Sequence, residues 1–336
     1  MKPVIKTATP DAIAEAAACL RAGGLVAFPT ETVYGLGANA LDGRAAARVF
    51  EAKGRPAINP LIVHVPGMEE AARLASFAAA ARAAAACFWP GPLTLIAPRL
   101  PGCPVSELCS AGLPTLALRA PAHPVARALL DAAGVPVAAP SANRSGSISP
   151  TTPMQVAESL GDSVDMILAD GPCAVGLEST VFDPDPARPA ILRPGAVTAD
   201  QLAACIGAAV AYDRGEGDRP RSPGQMLRHY APARPLRLRA VDLGKGEALL
   251  AFGSIRFMGV RGGGSASDLA PSACRNLSES GDLHEAAANL FRMLHELDRP
   301  EHAGIAAMDI PETGIGIAIN DRLRRAASGS GRGRDG

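Results

Sequence analysis

Two runs near the N-terminus carry side chains able to hold a charged small molecule. Phe28-Pro-Thr-Glu-Thr-Val-Tyr-Gly35 sets the hydroxyls of Thr30, Thr32 and Tyr34 beside Gly35 and Gly37, where the backbone can bend sharply. Lys53-Gly-Arg-Pro-Ala-Ile-Asn-Pro60 places an ammonium and a guanidinium two positions apart between Gly54 and Pro56, in a segment that cannot continue a helix. A point charge beside a planar fork suits phosphate, because both donors stay charged. His64 follows in the apolar run Leu61-Ile-Val-His-Val65. Taken singly, a loop Lys or Arg is usually solvated and idle, and a strand histidine is ordinary core. The company of Gly54, Pro56 and Asn59 favours a ligand.

The elements that must position these groups follow from local signals. Thr9-Pro10-Asp11 is a helix start, with a hydroxyl cap, a proline and a first-turn carboxylate; Ile13, Ala16, Ala17 and Leu20 recur at helical spacing until Gly23-Gly24. Strands are expected over 25–28, 61–65, 93–97, 115–119, 135–139, 166–169, 179–182 and 191–193. Helices are expected over 43–52, 69–88 (alanine-rich, ended by Pro90-Gly-Pro92), 124–133, 153–160 and 199–206. This alternation is α/β, and the turn-linked strands near the end make the sheet mixed. One domain therefore spans 1–208. Residues 209–232 include the charged, glycine-containing stretch Asp213–Ser222 and read as a linker. A smaller α/β domain, Rossmann-like, spans 233–327, with strands near 236–241, 248–252 and 305–308 and helices near 283–297 and 315–327. The tail 328–336 is low-complexity and expected to be disordered.

Composition excludes several classes. Lys+Arg and Asp+Glu are both 33, so no overall field draws the chain to nucleic acid or membrane. Seven cysteines without a CxxC pair argue against a zinc site or a disulfide framework and for reduced thiols in a cytoplasmic protein. Pro90, Pro92 and Arg82 interrupt the apolar stretch 74–97, so no membrane span is expected. There is no GxxxxGK[ST] loop, and Gly35-Leu-Gly37 lacks the rest of a dinucleotide fingerprint. A nucleotide here would be held by another device.

The ordered set Thr30-Glu-Thr-Val-Tyr34, Lys53-Gly-Arg55 with Asn59, Pro140-Ser-Ala-Asn143 with Ser145-Gly146, Gly176-Leu-Glu-Ser-Thr-Val181 and Leu192-Arg-Pro-Gly195 resembles the YrdC-type domain of threonylcarbamoyl-AMP synthases. Ser222-Pro-Gly to His229-Tyr-Ala-Pro232, with Ile319-Asn-Asp-Arg-Leu-Arg-Arg-Ala-Ala327, is similar to the longer, two-domain form. Gln225 departs from the methionine frequent there. The resemblance covers roughly residues 5 to 327. It implies a twisted mixed sheet with an open cleft and flanking helices. The implied reaction takes L-threonine, bicarbonate and ATP, with Mg²⁺, to threonylcarbamoyl-AMP and pyrophosphate. The product would pass to a tRNA threonylcarbamoyl transferase, for the adenosine beside the anticodon of tRNAs reading codons that begin with A.

By motif match the resemblance gives Lys53, Arg55, Asn59, Thr115, Ser141, Asn143, Ser149, Arg193 and Tyr230 to ATP, with Lys53 and Arg55 stabilising charge during transfer. It gives Thr32, His64, Arg119, Ser179 and the backbone near Ala139 to L-threonine, with Arg119 as the carboxylate fork. Tyr230 would make the linker a lid. No residue is expected to hold a resident metal. Ser141 and Asn143 could also merely cap a turn, Arg119 could be a structural ion-pair partner, and Tyr230 could pack between domains. Two rival functions remain. One is a non-catalytic double-stranded RNA or tRNA binder. The other is carbamoyl transfer from carbamoyl phosphate, whose enzymes carry acylphosphatase and zinc-finger regions not seen here.

Overall fold

A computed structural model describes residues 3–213, 229–255, 259–260 and 269–331. They divide into two units: residues within 3–145, 150–174 and 178–213 form the first, and those within 146–149, 175–177 and 229–331 the second.

In the first unit the chain runs β1 (Val4–Thr7), α1 (Pro10–Arg21), β2 (Val26–Phe28), β3 (Gly35–Asn39), α2 (Gly43–Lys53), β4 (Ile62–His64), α3 (Met68–Ala72) and α4 (Ala79–Phe88). It continues through β5 (Leu93–Pro98), α5 (Glu107–Ser110), β6 (Thr115–Arg119), α6 (Pro124–Ala133), β7 (Val137–Ala138) and α7 (Pro153–Leu160). The last elements are β8 (Met166–Ala169), β9 (Thr180–Asp183), β10 (Ala190–Arg193), α8 (Ala199–Ile206) and β11 (Ala211–Tyr212). All eleven strands join one mixed sheet in the order β1-β8-β2-β3-β7-β4-β6-β5-β9-β10-β11. The helix starts are chemically marked: Thr9 caps α1, and Thr152 with Gln155 and Thr198 with Gln201 close capping boxes on α7 and α8.

Strand alternation sorts the sheet's faces. Val63, Leu93, Leu95, Leu116, Leu118, Phe182 and Ile191 enter the main core, packed with α2, α4 and α8 residues such as Val49, Ala84 and Leu202. On the opposite side α1 and α6 cover Val26, Phe28, Val137, Met166 and Leu168. Toward the other edge that opposite side carries a separate apolar set, Ile62, Ile96, Ala117, Val181, Ala190 and Leu192, drawn from strands alone. It is the floor on which the polar groups below are arranged.

Three local differences from the sequence reading have simple causes. The alanine-rich stretch is two helices, because Ser76 donates its N–H to Pro98 O (2.8 Å) and Leu74 O accepts from Leu100 N–H (3.0 Å), trading helical bonds for strand-end bonds. Ala211–Tyr212, placed in the linker by composition, pair with β10 as the last strand of the sheet. Cys87 and Cys205, expected to be reduced, form a disulfide joining α4 to α8 across a Cα–Cα distance of 6.7 Å. Each lies one residue from the end of its helix, and the two helices pack together. Without a local spacing signature, that meeting is invisible in the sequence.

The second unit contains β12 (Leu236–Arg237), β13 (Asp242–Leu243), β14 (Glu247–Ala251), β15 (Gly259–Val260), β16 (Cys274–Asn276), α9 (Leu283–Leu297), β17 (Gly304–Ala307) and α10 (Gly316–Gly329). Its main sheet is parallel, in the order β12-β17-β14-β16. The last helix extends through Gly329, beyond the expected end of ordered chain, and Ser330 Oγ accepts from Leu236 N–H at 2.9 Å. Residues 214–228 of the linker and 332–336 of the tail lie outside the described residues. Among the described residues no helix is long and apolar enough to cross a membrane.

Candidate active site

The parallel pairing of β4 with β6 brings His64 level with Arg119. On the same face Arg119 follows Ala117 and Thr115, which at ~3.3 Å per residue places the Arg119 and Thr115 Cα atoms about 13 Å apart along the strand. Antiparallel β5 adds Thr94 to this face, and the chain entering β9 adds Ser179. A register shift in β10 turns Arg193 onto Ser179. Five of the expected site residues thus surround the strand-built apolar floor.

Arg119 is 3% exposed and spends three of its five N–H groups within the protein. Its Nη2 donates to Glu31 Oε1 (2.6 Å), Nη1 to Thr32 Oγ1 (2.9 Å) and Nε to Gly91 O (3.3 Å). Glu31 uses its second oxygen to accept from Ala122 N–H (3.0 Å). Burial pushes the Glu31 carboxyl up, but the adjacent Arg119 guanidinium and the N–H donors outweigh burial and hold it below the usual carboxylate range. The pair is therefore an ion pair at neutral pH.

The neighbouring hydroxyls have a fixed polarity. Thr30 donates its one proton to Val33 O (2.7 Å), so the 2.8 Å contact between Thr30 Oγ1 and Thr32 Oγ1 must use the Thr32 proton. Thr32 then meets Arg119 with a lone pair, and its remaining lone pair makes it an acceptor toward any ligand. His64 completes the corner. Burial, reinforced by repulsion from Arg119, depresses its pKa to about 3, so the ring is neutral.

Lys53 closes α2, and Gly54 caps the helix in the left-handed region (φ 58°), which only glycine adopts at little cost. The ammonium is not a solvated loop cation: it is 3% exposed and donates to the carbonyls of Ser141 (2.6 Å) and Asn143. Burial and the neighbouring Arg55 push its pKa well below that of an ordinary lysine, against a counter-pull from Glu178. Arg55, also buried, donates through Nε to Asn59 O (3.2 Å) and through Nη2 to Pro60 O (2.9 Å). Lys53 O accepts from Ser145 N–H (2.7 Å), so the 53–60 loop and the 141–145 turn are stitched together. Gly35 forms an isolated bridge with Ser141. Ala139 uses its N–H on Ile62 O (2.9 Å).

Arg193 donates to Ser179 O (3.0 Å from Nη2) and to Ser179 Oγ (3.1 Å), and Ser179 Oγ lies 2.7 Å from Thr94 Oγ1. The close packing there requires Gly195, since a Cβ at that position would fall 2.4 Å from Thr180 N. Thr115 lines a cavity of about 440 Å³ with Ile96, Pro98, Asp183 and Leu192.

Ser149 and Tyr230 belong to the second unit. Tyr230 is fully buried, stacked on Phe291 (5.4 Å between centroids), edge-on to His229 (4.0 Å) and covered by Arg322 (5.1 Å). Sequence reasoning missed Glu31 and Thr94, both buried polar partners of the expected ligands. Glu31 lies inside a quoted motif, but only the fold shows that it meets Arg119. Among the described residues no three of His, Cys, Asp and Glu converge as a metal site.

Known proteins resemble this chain over nearly its whole length. The family described as "Telomere recombination" (Sua5_yciO_yrdC) matches residues 18–195. "Threonylcarbamoyl-AMP synthase, C-terminal domain" matches residues 197–328. Threonylcarbamoyl-AMP synthase of Bacillus subtilis is 41% identical, over 94% of this chain and 93% of its own. That of Pyrococcus abyssi is also 41% identical, over 93% of each. The crystal structure of P. abyssi Sua5 complexed with L-threonine superposes with a TM-score of 0.84 at 36% identity, covering 98% of this chain and 97% of that one.

Proposed function

The chain belongs to the Sua5–YciO–YrdC family in its two-domain, threonylcarbamoyl-AMP synthase form, an enzyme of nucleotidyl-transfer type, and from that premise we propose how its own residues carry the reaction. The substrates are L-threonine, bicarbonate and ATP; the products are threonylcarbamoyl-AMP, pyrophosphate and water. The neutral threonine amine captures carbon dioxide derived from bicarbonate. An oxygen of the resulting carbamate attacks the α-phosphorus, and the bond to the leaving pyrophosphate breaks. The product serves a tRNA threonylcarbamoyl transferase in the cytoplasm, for the adenosine beside the anticodon of tRNAs reading codons that begin with A.

The observation that carries this reading is the Arg119 corner. Threonine presents a carboxylate, a hydroxyl and a methyl. Arg119 keeps two N–H groups beyond its internal bonds among the described residues, Thr32 offers a lone pair, His64 is neutral, and the adjoining floor of Ile62 and Ala117 is apolar. Ser179 and the Ala139 backbone complete the threonine set. Arg55, Asn59, Thr115, Ser141, Asn143 and Arg193 take ATP. Lys53 holds the Ser141–Asn143 turn and directs its remaining N–H to the nucleotide. Arg55 and Lys53 balance charge building on the phosphates, and positioning supplies much of the rest. Mg²⁺ enters with ATP as part of that substrate. The nucleotide role of Tyr230 rests on the motif resemblance alone.

The test is incubation of the full chain with Mg-ATP, labelled bicarbonate and L-threonine, following pyrophosphate and labelled threonylcarbamoyl-AMP, with serine as the control that lacks only the methyl. Product dependent on all three substrates is expected. No product, with tight tRNA binding at physiological salt, would overturn the synthase reading in favour of an RNA-binding role.

A further inference from the structure

Glu31 has no part in the ligand set proposed above, yet it is the most committed partner of Arg119. One oxygen is 2.6 Å from Nη2, the other accepts Ala122 N–H, and the carboxylate and guanidinium side chains are 11% and 4% exposed. Such a buried pair is costly to desolvate, and a lone Arg119 with Thr32 and Gly91 O would already form an anion fork. The added carboxylate changes what the corner can select. With His64 neutral, the corner formed by Arg119, Glu31, Thr32 and His64 carries no net charge, and it holds a positive and a negative pole side by side.

We propose that Glu31 is a positioning and specificity-determining residue, which fixes Arg119 and tunes the corner to an α-amino acid zwitterion rather than to a carboxylate anion. This rests on the assignment of threonine to the Arg119 corner. An incoming carboxylate is drawn by Arg119 and opposed by Glu31, so an anion alone gains little. A zwitterion sets its carboxylate on the guanidinium while its ammonium faces the Glu31 charge and the Thr32 lone pair. The same pole favours gathering the amine that must later lose a proton and bond to carbon. Removing the Glu31 charge should strengthen the hold on simple anions and weaken the hold on the ammonium, moving the two affinities in opposite directions.

The experiment compares binding of L-threonine and 3-hydroxybutyrate, which is threonine without its amine, by calorimetry on the full chain and on Glu31→Gln. The parent is expected to favour threonine, and Glu31→Gln to shrink that preference at least about tenfold, or about 1.4 kcal/mol. A merely structural Glu31 would weaken both ligands together and leave the ratio unchanged. A folded Glu31→Gln with a preference within about threefold of the parent overturns the inference. If Glu31→Gln does not fold, the parent decides: it should bind L-threonine at least about tenfold more tightly than 3-hydroxybutyrate, and affinities within about threefold of each other would overturn the inference. A parent that binds neither ligand overturns the threonine assignment itself and the inference with it.

Discussion

Acidification should destabilise the first unit through His64, and by an amount the structure sets. Its pKa is depressed from the ordinary 6.5 to about 3, first by burial and then by Arg119, with Glu31 pulling the other way. Above pH 6.5 the imidazole is neutral whether the chain is folded or not and contributes nothing to the pH dependence. Between 6.5 and 3 the unfolded chain binds a proton that the folded one refuses, so stability falls as pH falls, by about 1.4 kcal/mol per pH unit at full slope. By pH 5 the loss is about 2 kcal/mol. Glu31, depressed relative to its ordinary value, adds a loss only at lower pH, as the unfolded carboxylate begins to protonate. Trp89 is the only tryptophan, and it lies in the first unit with Nε1 donating to Leu93 O at 2.7 Å. Urea unfolding followed by its fluorescence therefore reports on this unit and avoids treating the two units as one transition. Parent and His64→Gln would be compared at pH 7.5, 6.5, 5.5 and 5.0. The stability difference between them should change by about 2 kcal/mol from pH 7.5 to pH 5, whatever its value at pH 7.5. A difference that stays flat would show that His64 protonates normally in the folded protein, and the neutral-imidazole corner would have to be abandoned.

Other substitutions separate ligand contacts from internal support. Arg55→Ala should abolish synthesis and also cost about 1–3 kcal/mol, because it strands the carbonyls of Asn59 and Pro60; full activity in the product assay would remove Arg55 from the site. Tyr230→Ala should destabilise the second unit by about 3–5 kcal/mol, since a fully buried ring packed between Phe291 and Arg322 is deleted. The expected nucleotide contact of Tyr230 is then tested by Tyr230→Phe, which keeps the packing and should raise the KM for ATP; unchanged kinetics would remove the hydroxyl from nucleotide binding. Cys87→Ser opens a closure spanning 118 residues and should lower first-unit stability by about 2–4 kcal/mol by Trp89 fluorescence. An unchanged urea midpoint would mean the thiols are not joined in solution.

Much of the scaffold was legible because its signals are local. The Thr9-Pro10-Asp11 start, the Gly23-Gly24 stop and the Pro90-Gly-Pro92 break each act within a few residues. The quoted motifs contain Glu31, Thr32, Ser179 and Arg193, whereas His64, Thr94, Thr115 and Arg119 of the same face lie on strands outside them. What the sequence could not disclose is register across strands. His64 is level with Arg119 only because β4 and β6 are parallel neighbours, and Ser179 meets Arg193 only because a bulge interrupts β10.

The least visible property was which charges are free. Lys53 and Arg55 read as loop donors suited to phosphate, and the fold shows both buried and bonded to carbonyls of the loops they join. A buried cation that braces a turn cannot be assigned to phosphate from its type alone; only the N–H groups left over after internal bonding can reach a ligand. For Lys53 that is one N–H among the described residues, and for Arg119 two. Most of the donor capacity in this site therefore goes into rigidity. That is the condition under which fixed dipoles stabilise developing charge without reorganising during the reaction. By this reasoning, substitutions that keep charge but alter bonding, such as Arg119→Lys, should impair synthesis nearly as much as charge removal, because lysine cannot span Glu31, Thr32 and Gly91 O at once.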